Sequence, residues 1–416
     1  MRVLLATLPE LSHALPTVPV CWALRAAGAE VLVASGGDVV KIAGAGLPVV
    51  DLLPGRGIAQ FLNAFDVAAL STSGDAPAES PSAQAEPTAP TAPTAPAQPS
   101  VSEALSEAPE YAGFLPHVSE ILPEADVAEL MEMMHGFVEV AERWRPDVIV
   151  YGPMTVGALA AAAKLDIPAV EHGFGFLRTA GLDPLLRALA GEVFDRHGVD
   201  LPTQRYGIDV APPSMLESEP QGWSMRYVPY NGGAVVPDWL NEQPARPRVL
   251  VTLGNLIPQL SGSSGHNLVG RILQQAATVD AEFVLALGAV DPTGLGGLPS
   301  NVRAVGYMPL TQLMPTCSAV IHHGGAGTSM GALDAGIPQL VVPHLFDHQH
   351  TADVVVKRGA GMALDLVAEP DLPAGLLDAL VRDEHLRAGA REVQAEIRAM
   401  PTPAEIATRI FDLVAG

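Results

Sequence analysis

The chain has 416 residues, 48% of them apolar and 17% charged, which predicts two or three compact units and excludes a disordered or fibrous protein. Acidic residues outnumber basic ones 46 to 23, a formal charge of −23 that repels a phosphodiester backbone, so no nucleic-acid partner is expected. No run approaches about 20 uninterrupted apolar residues, and Pro9 and Glu10 break the amino terminus before a signal-peptide core forms, so a cytoplasmic protein with no membrane partner is expected.

The first elements form a β-α-β unit. Arg2 to Leu8 is an apolar run of strand length, Val20 to Gly28 has helical spacing with a glycine stop, and Glu30 to Ser35 is a second strand. From Asp75 to Pro109 prolines recur every few residues, and Thr-Ala-Pro is written three times in succession between Thr88 and Pro96. With almost no large apolar side chains, residues 75–109 cannot offset the entropy of ordering, which predicts a flexible loop interrupting the first domain. Alternation then resumes. Val127, Leu130, Met131, Met134, Val138 and Ala141 share one helical face, Asp147 to Tyr151 is a strand, Met154 to Leu165 a helix, and Ile167 to Val170 a strand.

Pro212 to Pro247 is proline-rich again but carries Trp223, Tyr227, Tyr230 and Trp239, the composition of an ordered connector. The pattern restarts with a strand at Arg248 to Leu253, a helix near Asn267 to Ala277 and a strand at Glu282 to Leu287. Further strands are Ala319 to His322 and Gln339 to Val342, before a helical tail from Leu372 to Val414. This alternation predicts an α/β protein of two doubly wound Rossmann-like domains, residues 1–225 and 248–416, joined by a linker over 226–247. Ligands in such sheets sit at the carboxyl ends of the strands, so the cleft between the domains is the expected site. The two cysteines, Cys21 and Cys317, are far apart in apolar surroundings and read as buried thiols.

The most informative segment is Ile321-His322-His323-Gly324-Gly325-Ala326-Gly327-Thr328, between an apolar strand and a helix expected to start near Thr328. Glycines there let backbone N–H groups close on an anion and the helix start adds positive potential, a combination suited to a diphosphate. The lysine of a P-loop is missing, and the spacing is not that of a dinucleotide fingerprint.

That segment, the preceding Val305-Gly-Tyr-Met-Pro-Leu310, and Met225-Arg-Tyr-Val-Pro-Tyr-Asn231 with Val236-Pro-Asp-Trp239 together resemble the bacterial antibiotic-tailoring glycosyltransferases of the GT-B fold, which attach deoxysugars to macrolide and aromatic polyketide aglycones. The resemblance implies an acceptor-binding first domain and a nucleotide-sugar-binding second domain. It implies His322 and the amides of Gly324, Gly325, Ala326, Gly327 and Thr328 on the donor diphosphate, and the loop around Met308 on the nucleobase. The Thr252-Leu253-Gly254 turn matches an element beside the phosphates, with Asn255 where a serine or threonine is usual. The partners implied are a nucleotide sugar, a thymidine diphosphate sugar above all, and a hydrophobic aglycone. A homodimer and an auxiliary activator protein stay open, and no cofactor or metal is implied.

His13, in Ser12-His13-Ala14-Leu15-Pro16 just past the first strand, stands where the family places its general base. A neutral imidazole at the cleft mouth is suited to take a proton from an attacking acceptor. Asp347 falls on the aspartate of the family's sugar-recognition pair, but His348 occupies the glutamine position and Gln349 arrives one residue late. A rival reading makes His344, Asp347, His348 and His350 a metal site; Pro343 opposes it by setting His344 outside the helix that would align the two histidines. Glu171 and His172, placed just after a strand, are candidates for the acceptor pocket. Two other classes fit the same scaffold, a nucleotide-sugar epimerase and a non-catalytic helper.

Overall fold

The computed structural model describes residues 1–56, 124–177, 183–216, 222–254, 263–286, 288, 297–344, 346–365 and 372–416; the loop expected over 75–109 lies outside them. Two sheets carry the fold. The first contains β1 (Arg2–Ala6), β2 (Glu30–Ser35), β3 (Val49–Asp51), β4 (Val148–Tyr151), β5 (Ala169–His172), β6 (Arg205–Asp209) and β7 (Trp223–Ser224), in spatial order β3-β2-β1-β4-β5-β6-β7. The second contains β8 (Arg248–Thr252), β9 (Glu282–Ala286), β10 (Val302–Val305), β11 (Ala319–His322), β12 (Gln339–Val341) and β13 (Gly361–Ala363), in order β10-β9-β8-β11-β12-β13.

Every pairing among the described residues is parallel; Leu4 lies beside Leu32 and Ile149, and Ile321 beside Val251 and Leu340. All residues of β4, β8 and β11 are buried, as inner strands covered by helices on both faces require. Chain order reverses between β1 and β4 in one sheet and between β8 and β11 in the other. A parallel sheet opens a crevice at such a point, because the connections on its two sides leave in opposite directions.

Two local boundaries differ from expectation. The strand expected to stop at Val170 runs to His172, because β6 supplies ladder partners, Gly207 for Glu171 and Ile208 for His172. The helix expected near Thr328 begins at Ala326. A third difference concerns packing. Sequence order assigns the whole tail to the second domain, yet the helix Pro403–Ala415 packs against the helix Val18–Ala26 of the first. Its Ile406, Ala407 and Ile410 share a core cluster with Val18, Val20 and Leu24. An amphipathic pattern demands that a face be buried and is silent about the partner. Among the described residues no helix is long and apolar enough to cross a membrane.

Candidate functional site

His13 sits on the short helix Leu11–Ala14 that follows β1, its N–H donating to the Glu10 carbonyl at 3.1 Å. The imidazole is stacked on Phe174, ring centres 4.5 Å apart and planes 24° apart, and its buried Nδ1 has no hydrogen-bond partner among the described residues. Glu171 and His172, at the end of β5, point to opposite faces because strand side chains alternate. His172 is 1% exposed; its Nδ1–H donates to the Gly173 carbonyl at 2.6 Å and its Nε2 is unpartnered among the described residues. Burial lowers its pKa to about 4, so it is neutral at pH 7. The hydroxyls of Thr7 and Thr155 are also buried without partners among the described residues. Buried polar atoms are rarely left unpaired, and here they gather past the carboxyl ends of β1, β4 and β5.

The second domain presents two turns to the same cleft. After β8 the Gly254 amide donates to Thr252 Oγ1 at 3.3 Å, and Gly254 adopts φ +68°. After β11, Gly324 adopts φ +102°. Side chains are excluded from both for two reasons: that backbone region strains an L-residue, and a Cβ would lie 2.6 Å from the His323 ring in one case and 2.7 Å from His348 Cβ in the other. Asn255 lies outside the described residues. Met308, in the loop after β10, is half-buried against the core around Leu250 and Val320.

The glycine segment carries internal contacts beyond the expected ones. His322 is fully buried and does not line the cleft. Its Nε2 lies 2.8 Å from Gln339 Oε1, which also accepts from Ser329 Oγ at 2.8 Å, and its Nδ1 accepts the Gly324 N–H at 3.1 Å. Because Gln339 Oε1 can only accept, His322 carries its proton on Nε2. Burial lowers its pKa to about 4, so it brings no charge near neutrality. The Gly324 amide is thus spent on His322, and the Thr328 amide on the Gly325 carbonyl at 3.1 Å. A helix leaves its first N–H groups without intrahelical acceptors, and in Ala326–Ala335 those are the amides at its start, with Gly325 preceding them as N-cap.

The second histidine of the pair is the one beside the turns. The His323 ring lies against both Gly254 and Gly325 and packs edge-on against His348, centres 4.9 Å apart at 82°. Burial, then the neighbouring His348, His322 and His344, hold its pKa well below the usual imidazole value. His348 is 4% exposed and turned toward this stack, Asp347 is half-buried, and Gln349 is on the surface donating to Asp353 Oδ1 at 3.0 Å. His344 precedes the helix Phe346–Lys357 and donates from Nδ1 to the Val342 carbonyl at 2.7 Å. Among the described residues no group of three or more His, Cys, Asp or Glu side chains is arranged to hold a metal ion.

The two domains meet at the helix start. A Cβ added to Gly175, in the loop after β5, would lie 2.6 Å from Ala326 Cβ, and one added to Gly327 would lie 3.6 Å from Tyr227 Oη. The loop that stacks on His13 therefore also touches the start of the helix Ala326–Ala335.

Comparison with known proteins fits this geometry. The family of erythromycin biosynthesis protein CIII-like proteins matches through its N-terminal domain at residues 125–254 and its C-terminal domain at residues 270–413. Elloramycin glycosyltransferase ElmGT of Streptomyces olivaceus is 40% identical over 99% of this chain and 97% of its own. The chain belongs to the erythromycin biosynthesis protein CIII-like family. It is a GT-B glycosyltransferase of the antibiotic-tailoring kind. The crystal structure of SnogD from Streptomyces nogalater superposes with a TM-score of 0.76 at 35% identity, covering 100% of this chain and 99% of that one. SsfS6 from Streptomyces sp. SF2575, complexed with thymidine diphosphate, gives 0.73 at 28% identity and 99% coverage of both chains.

Three residues of this glycosyltransferase's site escape sequence reading. His323 had a usable signal, since alternation at the end of β11 turns it to the face opposite His322. Phe174 and Gly175 had none, because contacts made by a loop are not encoded in its spacing.

Proposed function

We propose that this glycosyltransferase moves a deoxysugar from a thymidine diphosphate donor to a hydrophobic polyketide-type aglycone, with inversion at the anomeric carbon and without a divalent metal. The observation that carries the reading is the approach of the His13 loop of one domain to the start of the helix Ala326–Ala335 of the other, through Phe174 and Gly175. In this reading the diphosphate lies at the helix start, on the amides of Gly325, Ala326 and Gly327, with His322 fixing the turn from inside. The acceptor, on the side of Thr7, Thr155, Glu171 and His172, attacks the anomeric carbon from the face opposite the diphosphate. His13 takes its proton as the bond to the leaving oxygen breaks. The departing charge is met by amides and the helix dipole that are already oriented, which is why no metal is required for that role. Asp347 binds sugar hydroxyls, and Met308 borders the nucleobase. Thymidine diphosphate bound to the related SsfS6, and the similarity to an elloramycin glycosyltransferase and to the TDP-daunosamine transferase DnrS, support the substrate class.

The test is donor consumption with and without aglycone. A panel of tetracyclic polyketide and macrolactone aglycones is incubated with thymidine and uridine diphosphate sugars and read by mass spectrometry. Glycoside formation requiring both substrates, unchanged by a chelator and lowered about a thousandfold by His13→Ala, is expected. Donor conversion without aglycone would make the protein an epimerase, and full activity in His13→Ala would remove the base.

A further inference from the structure

We propose that Phe174 positions the His13 imidazole, and that the loop from Gly173 to Phe176 ties this position to the phosphate-side helix of the other domain. The inference rests on the roles given above to His13 and to the start of the helix Ala326–Ala335. An imidazole that must accept a proton at one nitrogen needs its ring plane and direction fixed, and in many enzymes a carboxylate on the other nitrogen does so. His13 Nδ1 has no partner of any kind among the described residues. The ring is held by its face instead, on Phe174 at 4.5 Å and 24°. An aromatic face restrains tilt and displacement, and it leaves both nitrogens free of competing bonds.

Phe174 can serve as a platform because its loop is anchored on both sides. The Gly173 N–H donates to the Ile208 carbonyl at 3.0 Å, extending the β5–β6 ladder by one residue, and the His172 imidazole bonds the Gly173 carbonyl. Phe176, 5% exposed, is fixed in a core cluster with Val170 and Ile208. Between these anchors, Gly175 lies so close to Ala326 that an added Cβ would be 2.6 Å from the alanine's own. Movement of the helix start is therefore felt at Gly175, and through the adjacent Phe174 at the base. Donor seating and base placement share one short segment.

Three measurements test this. In the wild-type enzyme with ring-labelled histidine, the His13 ring protons should be shifted upfield by the Phe174 ring current, and Phe174→Leu should abolish the shift. Using the fastest donor and aglycone pair from the panel, Phe174→Leu should lower kcat about tenfold with the Kd for thymidine diphosphate unchanged, and Phe174→Tyr should restore kcat. Gly175→Ala should weaken thymidine diphosphate binding about tenfold, and adding Ala326→Gly, which removes the opposing methyl, should recover it. Unshifted His13 protons in the wild type, wild-type kcat in Phe174→Leu, or wild-type binding in Gly175→Ala would overturn the inference. His13→Ala is assayed alongside. If it stays active the base assignment fails; if it is inactive while Phe174→Leu is normal, only the positioning role fails.

Discussion

At the carboxyl end of β1 the His13 imidazole is held by one face and leaves Nδ1 unpartnered among the described residues, whereas at the end of β11 the His322 imidazole is fully buried with both nitrogens engaged. The two strands are inner members of parallel sheets with the same winding, and each ends at a point where chain order reverses. What differs is the surroundings. A ring with a free nitrogen at the cleft can exchange a proton during a reaction. A ring locked between Gln339 and the Gly324 amide cannot, and it serves to hold a turn in shape. The same side chain is thus left with an unengaged nitrogen among the described residues in one domain and locked as a brace in the other.

The largest expected consequence of burying such braces is acid instability. His172 and His322 both have pKa values lowered by burial to about 4, against 6.5 for the ordinary imidazole. Between these values the unfolded chain binds more protons than the folded one, so stability rises with pH there. It is complete above about pH 6.5 and is lost as pH falls toward 4, by on the order of 3 kcal/mol for each ring. Urea unfolding from pH 8 to pH 4.5 should show the decline, and His172→Asn and His322→Asn should each flatten it. If His322→Asn left the slope unchanged, the brace would not be a neutral buried imidazole and the contrast with His13 would fail.

A smaller effect is expected at the turn facing His323. In Gly254→Val a β-branched side chain is forced to φ +68° with its Cβ 2.6 Å from the imidazole. Strain of this kind costs about 2 kcal/mol, and the turn relieves it by displacing His323 from its place against Gly254 and Gly325. Thymidine diphosphate binding should weaken by roughly 30-fold, measured by calorimetry, while the stacked His13 in the other domain keeps its ring-current shift. A lost shift would mean that a displacement at His323 also moves the helix start at Ala326, and through Gly175 the loop that holds His13.

The elements that carry this contrast are legible in the sequence, because they depend on short-range order; the contrast itself is not, since the sequence expectation puts His322 on the diphosphate. Apolar runs alternating with helical spacing give the inner strands of both sheets, and a glycine segment between a strand and a helix marks a candidate anion site. His13 is a candidate because it follows the first strand at the place where the resembled family has its general base. The orientation of side chains at strand ends was harder. His322 and His323 are adjacent and identical, and their separation into brace and cleft wall depends on where β11 stops and on Gln339 from a strand 17 residues later. Glu171 and His172 were set one step too far along for the same reason, since the ladder with β6 is a long-range pairing. Phe174 came from no motif. Its partner is 161 residues away in the chain, and only the fold brings the rings together.

The last helix offers the finest test of how the halves are joined. Pro403–Ala415 belongs to the second domain by chain order but packs on the first, and it is preceded by a capping box: Thr402 Oγ1 accepts the Glu405 N–H, and the Glu405 carboxylate accepts the Thr402 N–H at 2.7 Å. Beside it the Arg226 N–H, on the segment leading out of the first sheet, donates to the Pro401 carbonyl at 2.7 Å. Thr402→Ala removes the cap and should cost about 1 kcal/mol, seen as a lower urea midpoint at unchanged m-value. Neither His13 nor the start of the helix Ala326–Ala335 is touched, so kcat and thymidine diphosphate affinity should stay at wild-type values. A cap loss that lowered kcat as well as stability would show that the crossing helix holds the two domains at the separation the reaction needs.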